Sequence, residues 1–524
     1  MYKYFPILPR LFGIRPAISS LWWCFTGIGH KTPAQLAPGS GNSNDPLFGR
    51  SPKLKWVFLL VLGLSLLATA CGQENPAPTG AFTSAPDRTP RPATTGTPAT
   101  PRPPTTTPLP ASTSSLGISA SDLQGTNLEF WHFFPEEQIT PLLRAFNQDN
   151  PWGIKVTERR FGSAESLSQA LQVPGNAPVI VGYPEQLLAW GSAGALADLV
   201  PYVNDPEWGL ESGDQEDYIE TFWEQDLDGS RRLGIPARRN AQFFILNQSW
   251  ASELGYSTPP DSPERFQAQA CTANQAMKKD RDFQNDSQGG WLVNSDAPTM
   301  IGWIKAFGGQ LLRSNQQSYH FNTAQTEQAF TFLKTLIDNN CAWVGTAPYP
   351  DEPFGARLAL FATANLSDLP FIEQALNTAA NRDRWRAIAF PSEVDESILP
   401  VYGPSLALMQ DTPERQLAGW LFIRWLTTPE TQAFWTRLDG LLPVRATARD
   451  LLNDYAAQHI QWAQVWDLLK YSVNEPHLAS WDAVQWAVQD AGTQIFRSYF
   501  TAERIPATLQ ELDRTALELS QQRP

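Results

Sequence analysis

At 524 residues the chain is too long for one ordinary domain, and two folded lobes with appendages is the natural organisation. A net charge of −14 argues against a nucleic-acid binder, which needs a basic face. Hydrophobic content of 42% permits large cores, and 20 Trp against 4 Met points to rings in a cleft as well as in a core.

Residues 1–50 carry no periodic pattern. Arg50, Lys53 and Lys55 then form a basic cluster, and Trp56 to Ala70 follows as an apolar and small-residue run ended by Cys71. This is the layout of a secretory signal peptide, too short for a transmembrane helix of about 20 apolar residues. Ala68-Thr69-Ala70-Cys71 resembles a bacterial lipobox, with Ala68 where Leu is usual, which implies lipidation of Cys71. Residues 1–71 are therefore read as leader and signal peptide. Residues 72–125 are rich in Pro, Thr, Ser and Ala with almost no residues able to form a core, so they read as a disordered tether. About 45 such residues span ~40 Å as a coil and ~140 Å as polyproline II.

The folded part is read as 126–524. In Asn127 to Pro151, Leu128 to His132 suits a strand and Phe133 to Glu136 an aromatic turn. Ile139, Leu142, Leu143 and Phe146 then line one face of a helix, stopped by Asn150-Pro151. Ile154 to Thr157 reads as a second strand and Ala164 to Leu171 as a helix. Pro178 to Gly182 is wholly apolar, as in a strand buried on both faces, and a helix follows through Trp190. The pattern predicts a β-α-β-α-β-α lobe with a parallel sheet.

Further on, Arg231 to Pro236 and Ala241 to Asn247 read as strands flanking the polar insert Ala237-Arg238-Arg239-Asn240. Asp261 and Glu264 bracket a helix start, with Pro263 in the first turn, and that helix carries Cys271. Met300 to Phe307 and Thr326 to Asn340 read as helices. Arg357 to Phe361, Ala387 to Phe390 and Ser405 to Met409 are strand-like. Thr412-Pro413-Glu414 and Thr428-Pro429-Glu430 each open a helix, Gly440 to Arg445 is a loop, and Trp-rich helices follow to about Leu519.

The chain has no P-loop, GxSxG, HExxH or paired CxxC motif, and its five His are scattered, so neither a metal nor a cofactor is expected. Glu136 and Glu137 diverge by about 100° on a helix and do not serve one substrate. The residues point instead to cleft chemistry. Sugars stack on aromatic rings while planar polar side chains satisfy their hydroxyls. Trp131, Tyr183, Trp190, Trp291, Trp303 and Tyr402 are candidate rings, and His132, Gln186, Arg238, Asn240 and Arg445 are candidate polar groups, with Gly403 beside Tyr402. Trp131 and Tyr183 follow apolar strands, where an open α/β sheet leaves its crevice.

EFWHFFPEEQ, LLRAFNQDNPWGIKV, VIVGYPEQLLAW, GALADLVPYVNDPEWGL, YGPSLALM and PERQLAGWLFIRWLTTPETQAFW, in that order, resemble extracellular solute-binding proteins of bacterial ABC importers, the sugar-binding group. The resemblance covers about residues 127–450. It implies a two-lobed periplasmic-binding-protein-like α/β fold with a hinge and extra C-terminal helices. It also implies a non-enzymatic protein, a carbohydrate ligand, a permease partner, and an extracytoplasmic place at the cell membrane through the lipidated Cys71. Lobe one is expected over 126–236 plus 358–410, and lobe two over 247–350 plus the C-terminal helices. PARRNAQFFILN departs from the family's usual PFQRS before LYYN, which leaves the ligand open: a phosphorylated polyol held by Arg238, Arg239 or Arg445 is the alternative, and a secreted carbohydrate-active enzyme a third reading. Export permits a disulfide between Cys271 and Cys341, for which similar family members carry Cys at comparable places. Two separate buried thiols are the alternative.

Overall fold

The computed structural model describes residues 114–172, 178–346, 349–394 and 396–522. The leader, Cys71 and most of the tether lie outside them. The end of the expected tether is packed, however. Ser114 and Ser115 donate to the Asp205 carboxylate at 2.9 and 3.0 Å, and Ile118 and Leu123 are buried. The two apolar side chains find a core to enter, so order begins before Thr126.

Lobe one is built on a five-stranded sheet in the order β2-β1-β3-β13-β6. β1 (Asn127–His132) pairs in parallel with β2 (Lys155–Arg160) and with β3 (Val179–Gly182). The helix Glu136–Asp149 returns between β1 and β2, burying Ile139, Leu142, Leu143 and Phe146 on the expected face. The sheet is not wholly parallel. β13 (Ser405–Leu408) runs antiparallel to both β3 and β6 (Ile235–Pro236). A small hairpin, β4 (Leu227–Asp228) with β5 (Arg231–Arg232), precedes β6.

Lobe two holds the order β14-β12-β7-β10-β8-β9, with β11 also on β7. β7 (Asn240–Asn247) is the spine. β10 (Ala359–Asn365) runs antiparallel along it, from Phe361 opposite Leu246 to Asn365 opposite Gln242. β11 (Trp385–Ile388) and β12 (Leu399–Tyr402) share its other edge, while β8 (Gly289–Leu292), β9 (Ala342–Trp343) and β14 (Ser472–Asn474) complete the sheet. Residues 359–402 thus stay in lobe two, where 358–410 had been expected in lobe one; only β13 crosses back. Pairing with β7, buried from Ala241 to Asn247, fixes the assignment. The C-terminal helices are likewise divided. Pro413–Leu426 and Pro429–Asp439 pack on lobe one through Phe422 and Trp435, while Trp481–Ile495 and Ile505–Gln522 pack on lobe two.

The chain therefore crosses between lobes three times. β6 leads into β7 through Arg238 and Arg239, and β12 leads into β13 through Gly403 and Pro404. The third crossing is at His459, before the helix Ile460–Asp467 that lies on β11 through Gln464 and the Ala387 N–H. Gly403 is required where it stands. Its φ is +153°, and a Cβ there would lie 2.4 Å from the Arg238 carbonyl oxygen of the neighbouring crossing. Cys271 and Cys341 form a disulfide, with Cα atoms 4.2 Å apart, behind the lobe-two sheet.

Candidate functional site

The two sheets face each other across a crevice floored by the first two crossings. Open α/β sheets leave such a crevice where β1 and β3 end. Just past β1, Phe133 is half-buried and stacks on Tyr183, just past β3, with centroids 5.7 Å apart. Tyr183 caps the helix Pro184–Ser192, and the Gln186 side chain folds back to accept its backbone N–H at 3.0 Å. Gln186 thus holds the loop in shape. Burial and the charges of Glu185 and Glu475 push the Tyr183 hydroxyl up to about 12. Glu475 belongs to lobe two, so the lobes are close enough here to feel each other's charge.

Opposite, Tyr402 ends β12 and donates to Gln242 Oε1 on β7 at 3.2 Å. Its hydroxyl is raised well above the ordinary value by burial and by Asp296, Asp368, Glu475 and Tyr183. Asp296 caps the helix Ala297–Ala306, accepting the Thr299 N–H at 2.9 Å and the Asn294 and Gln242 amides. Asp368 accepts the Asn365 N–H at 2.9 Å, and burial raises it to about 6. The Asn240 amide bonds Asn365 Oδ1 at 3.1 Å, at the foot of the same wall. A cavity of about 290 Å³ lies between the lobes, lined from lobe one by Glu224 and Gln225 and from lobe two by Lys305, Gln310, Glu475 and His477. That is near the lower end of the roughly 300–1,000 Å³ typical of small-molecule sites, so it suits a small solute.

Several residues expected in the cleft are elsewhere. Trp131 is 5% exposed, packs on Phe161, donates to Glu129 at 2.7 Å and lies under the Arg159 guanidinium. His132 is fully buried on the other face of β1, stacked on Phe130, with burial and Arg160 lowering it to about 4. Trp303 and Trp291 are core rings of lobe two, and Trp190 bonds Ser168 in lobe one. Arg238 is fully buried against Asp439 at 2.6 Å, with Gln432, Thr436 and the Leu441 carbonyl as further acceptors. Arg239 bonds Gln225, the Arg238 and Pro404 carbonyls and Ser405. Arg445 is held by Asp214 and by Asp217, the latter at 2.7 Å, beneath Tyr218. These three guanidiniums fasten lobe one to its hinge.

Of the expected residues the structure brings Tyr183, Gln186, Asn240, Tyr402 and Gly403 to the crevice. It adds Phe133, Glu185, Gln242, Asp296, Asp368 and Glu475. Phe133 and Glu185 flank residues that were singled out, so their signal was adjacency; Glu475 carried none. Among the described residues no cluster of His, Cys, Asp or Glu could hold a metal ion.

Two lobes of this topology with an inter-lobe crevice define a solute-binding protein. The family model for bacterial extracellular solute-binding proteins matches residues 142–467, more than half of the chain, and the chain belongs to that family. Its place is therefore extracytoplasmic. The fold is similar to that of the sugar-binding protein MalE from Xanthomonas citri, with a TM-score of 0.65, 19% identity, and 76% of this chain and 98% of that one covered. It is also similar to UgpB from Mycobacterium tuberculosis in complex with glycerophosphocholine (TM-score 0.60, 19% identity, 75% and 98% covered). A third likeness is to the GacH receptor of Streptomyces glaucescens, known unliganded and with acarbose (TM-score 0.60, 15% identity, 75% and 98% covered). No curated protein matches the chain.

Proposed function

We propose that this protein is the capture component of a bacterial ABC importer, binding a sugar between its lobes and passing it to a membrane permease without chemical change. Closure is the operative step: a ligand that touches both lobes stabilises the closed form over the open one. The carrying observation is the Phe133–Tyr183 stack just past the ends of β1 and β3, with Tyr402 of lobe two within electrostatic reach of Tyr183, which offers rings for sugar faces beside amide and carboxylate acceptors for hydroxyls. Family membership and the likeness to sugar-binding proteins support the same reading. Lipidation at Cys71 would keep the protein at the outer face of the cell membrane, with the segment up to the folded lobes as its tether.

A phosphate ester is disfavoured by the arginines proposed to hold it, since Arg238, Arg239 and Arg445 are all bonded to protein acceptors. A glycosidase is disfavoured by family membership, since the matching family is one of extracellular solute-binding proteins.

Calorimetric titration with a panel of neutral and aminated sugars, beside a thermal melt, tests the proposal. Tyr183→Ala should lose at least about tenfold in affinity, the equivalent of one good contact, with little change in melting. Trp131→Ala should instead destabilise by ~3–5 kcal/mol while the folded fraction binds normally. Wild-type affinity in Tyr183→Ala would show that the crevice is not the site.

A further inference from the structure

Among the described residues, four that are not glycine hold a positive φ: Gln316, Asn340, Arg357 and Ala380. Three of them have an ordinary reason. Asn340, Arg357 and Ala380 each stand two places beyond the last residue of a helix (Ala324–Asp338, Asp351–Gly355 and Leu369–Thr378), where a left-handed residue commonly ends the turn. Gln316, at φ +56°, lies well past the end of the helix Ala297–Ala306. It sits in a hairpin of lobe two closed by the bridge between Leu312 and Tyr319. The Gln316 N–H donates to the Arg313 carbonyl at 2.8 Å, and the Arg313 N–H to the Ser318 carbonyl at 2.8 Å. A turn followed by a left-handed residue is a place for Gly or Asn, because a β-carbon there crowds the backbone. Asn315 is the preceding residue, yet a glutamine holds the strained position.

The base of this hairpin is fixed. Tyr319 is buried, stacks on Phe321 with centroids 5.6 Å apart and bonds Ser480, and the Phe321 N–H donates to Asp513 at 2.6 Å. The tip is exposed, and Gln316 lines the inter-lobe cavity together with Glu224 and Gln225 of lobe one. Two other glutamines of that cavity have one end of the carboxamide already taken. Gln225 accepts the Arg239 Nε–H at 3.0 Å and Gln310 accepts Lys305 at 2.9 Å, so each is left with its amino group. The Gln316 carboxamide makes no hydrogen bond among the described residues, so it keeps both its donor and its acceptor. A sugar hydroxyl also both donates and accepts. Backbone strain held at a cavity wall is a sign that the side chain there is used.

We infer that Gln316 is a ligand-contacting and specificity-determining residue of the crevice, its carboxamide bonding a hydroxyl of a sugar that also meets the amino group of Gln225 on lobe one. This rests on the sugar reading above. The fixed base of the hairpin holds the amide near its place before the ligand arrives, so less ordering remains to be done on binding. With Arg239 orienting one glutamine and the hairpin carrying the other, opposite lobes present amides to one small space. A hydroxyl pair that satisfies both draws the lobes together.

The test is calorimetric titration of the whole protein with glucose, galactose and maltose, followed by the monodeoxy forms of the sugar that binds best. Gln316→Gly should bind that sugar roughly three- to tenfold more weakly, as for the loss of one neutral hydrogen bond. It should melt at or above the wild-type temperature, because the strain is gone. Gln316→Asn, which tolerates the same turn with a shorter amide, should weaken binding by a similar factor. Gln317→Ala, at an exposed neighbour that does not line the cavity, should bind as the wild type does. One monodeoxy sugar should bind the wild type more weakly by the same factor, yet bind Gln316→Gly as well as its parent sugar does. Wild-type affinity in both Gln316 variants, with Tyr183→Ala weakened, would overturn the inference and leave the sugar reading standing. A loss in Gln316→Gly that is equal for the parent and every monodeoxy sugar would also overturn it, assigning Gln316 to the turn alone. Failure of all three sugars to bind the wild type would overturn the sugar reading and the inference together.

Discussion

The molecule buries charge in two regions and treats it in opposite ways. In lobe one, Arg238 sits on Asp439, and Arg445 on Asp214 and Asp217, each guanidinium with further acceptors. In the crevice, Glu185 and Glu475 form no ion pair among the described residues, and the cation in range of both, Arg239, spends its donors on Gln225, two backbone carbonyls and Ser405. A buried charge that is fully matched is architecture, because its bonds are complete before any ligand arrives. An acid whose nearest cation is already bonded elsewhere instead keeps its proton to higher pH.

The sharpest way to break this comparison is at Arg238. Arg238→Ala leaves Asp439 buried without its cation, which should cost ~3–5 kcal/mol. Denaturant unfolding would read this as a lowered midpoint, while ligand selectivity in the folded fraction stays as in the wild type. A selective loss of binding at unchanged stability would return Arg238 to the ligand site. The next effect comes from the disulfide, which lies behind the lobe-two sheet. Replacing Cys271 and Cys341 together with Ser should cost ~2–5 kcal/mol, again with affinity retained.

The smallest effect sharpens the comparison on the acid side. Folding raises Glu185 to about 8 and Glu475 to about 7, so the folded state holds more protons than the unfolded one. Their contribution is therefore most favourable below the unfolded carboxyl value and is lost as pH rises through 7 and 8. His132 works in the other direction. Lowered to about 4, it is held neutral, and stability is lost as pH falls below 6.5 towards that value. Ligand-free thermal melts should show a maximum in mildly acidic buffer, and Glu185→Gln should flatten the alkaline side by a few degrees. An alkaline limb that is unchanged in Glu185→Gln would mean the crevice acids are solvated rather than buried.

Much of the fold was legible because periodicity reports burial locally. The helix over Ile139 to Phe146, the apolar β3 and the Pro-led helices at Pro413 and Pro429 all lie where their patterns put them. The lobe assignment of 358–410 was not legible, since β10 and β13 are equally apolar runs and only pairing distinguishes their sheets. The site was half legible for a related reason. Both faces of β1 are buried, so neither Trp131 nor His132 carries a mark showing which way it points. The ring that reaches the crevice, Phe133, is one step past the strand. Glu185 looks like an ordinary acid in the first turn of a helix. Its character comes from Glu475, nearly three hundred residues away along the chain, and no local pattern joins the two.

The hinge carries a mechanical consequence. Tyr402 and Asn240 pair where two crossings run side by side, Gly403 lets the backbones touch, and the Arg239 guanidinium stitches one crossing to the other. Such a joint resists sliding and stretching and leaves bending as its soft motion. The lobes then behave as two arms on one axle, and a slight turn at Arg239 becomes a wide sweep at the rim. An axle of this kind returns the jaws to the same alignment at every closure. Selection among solutes is then made by shape and charge against a single fixed bite.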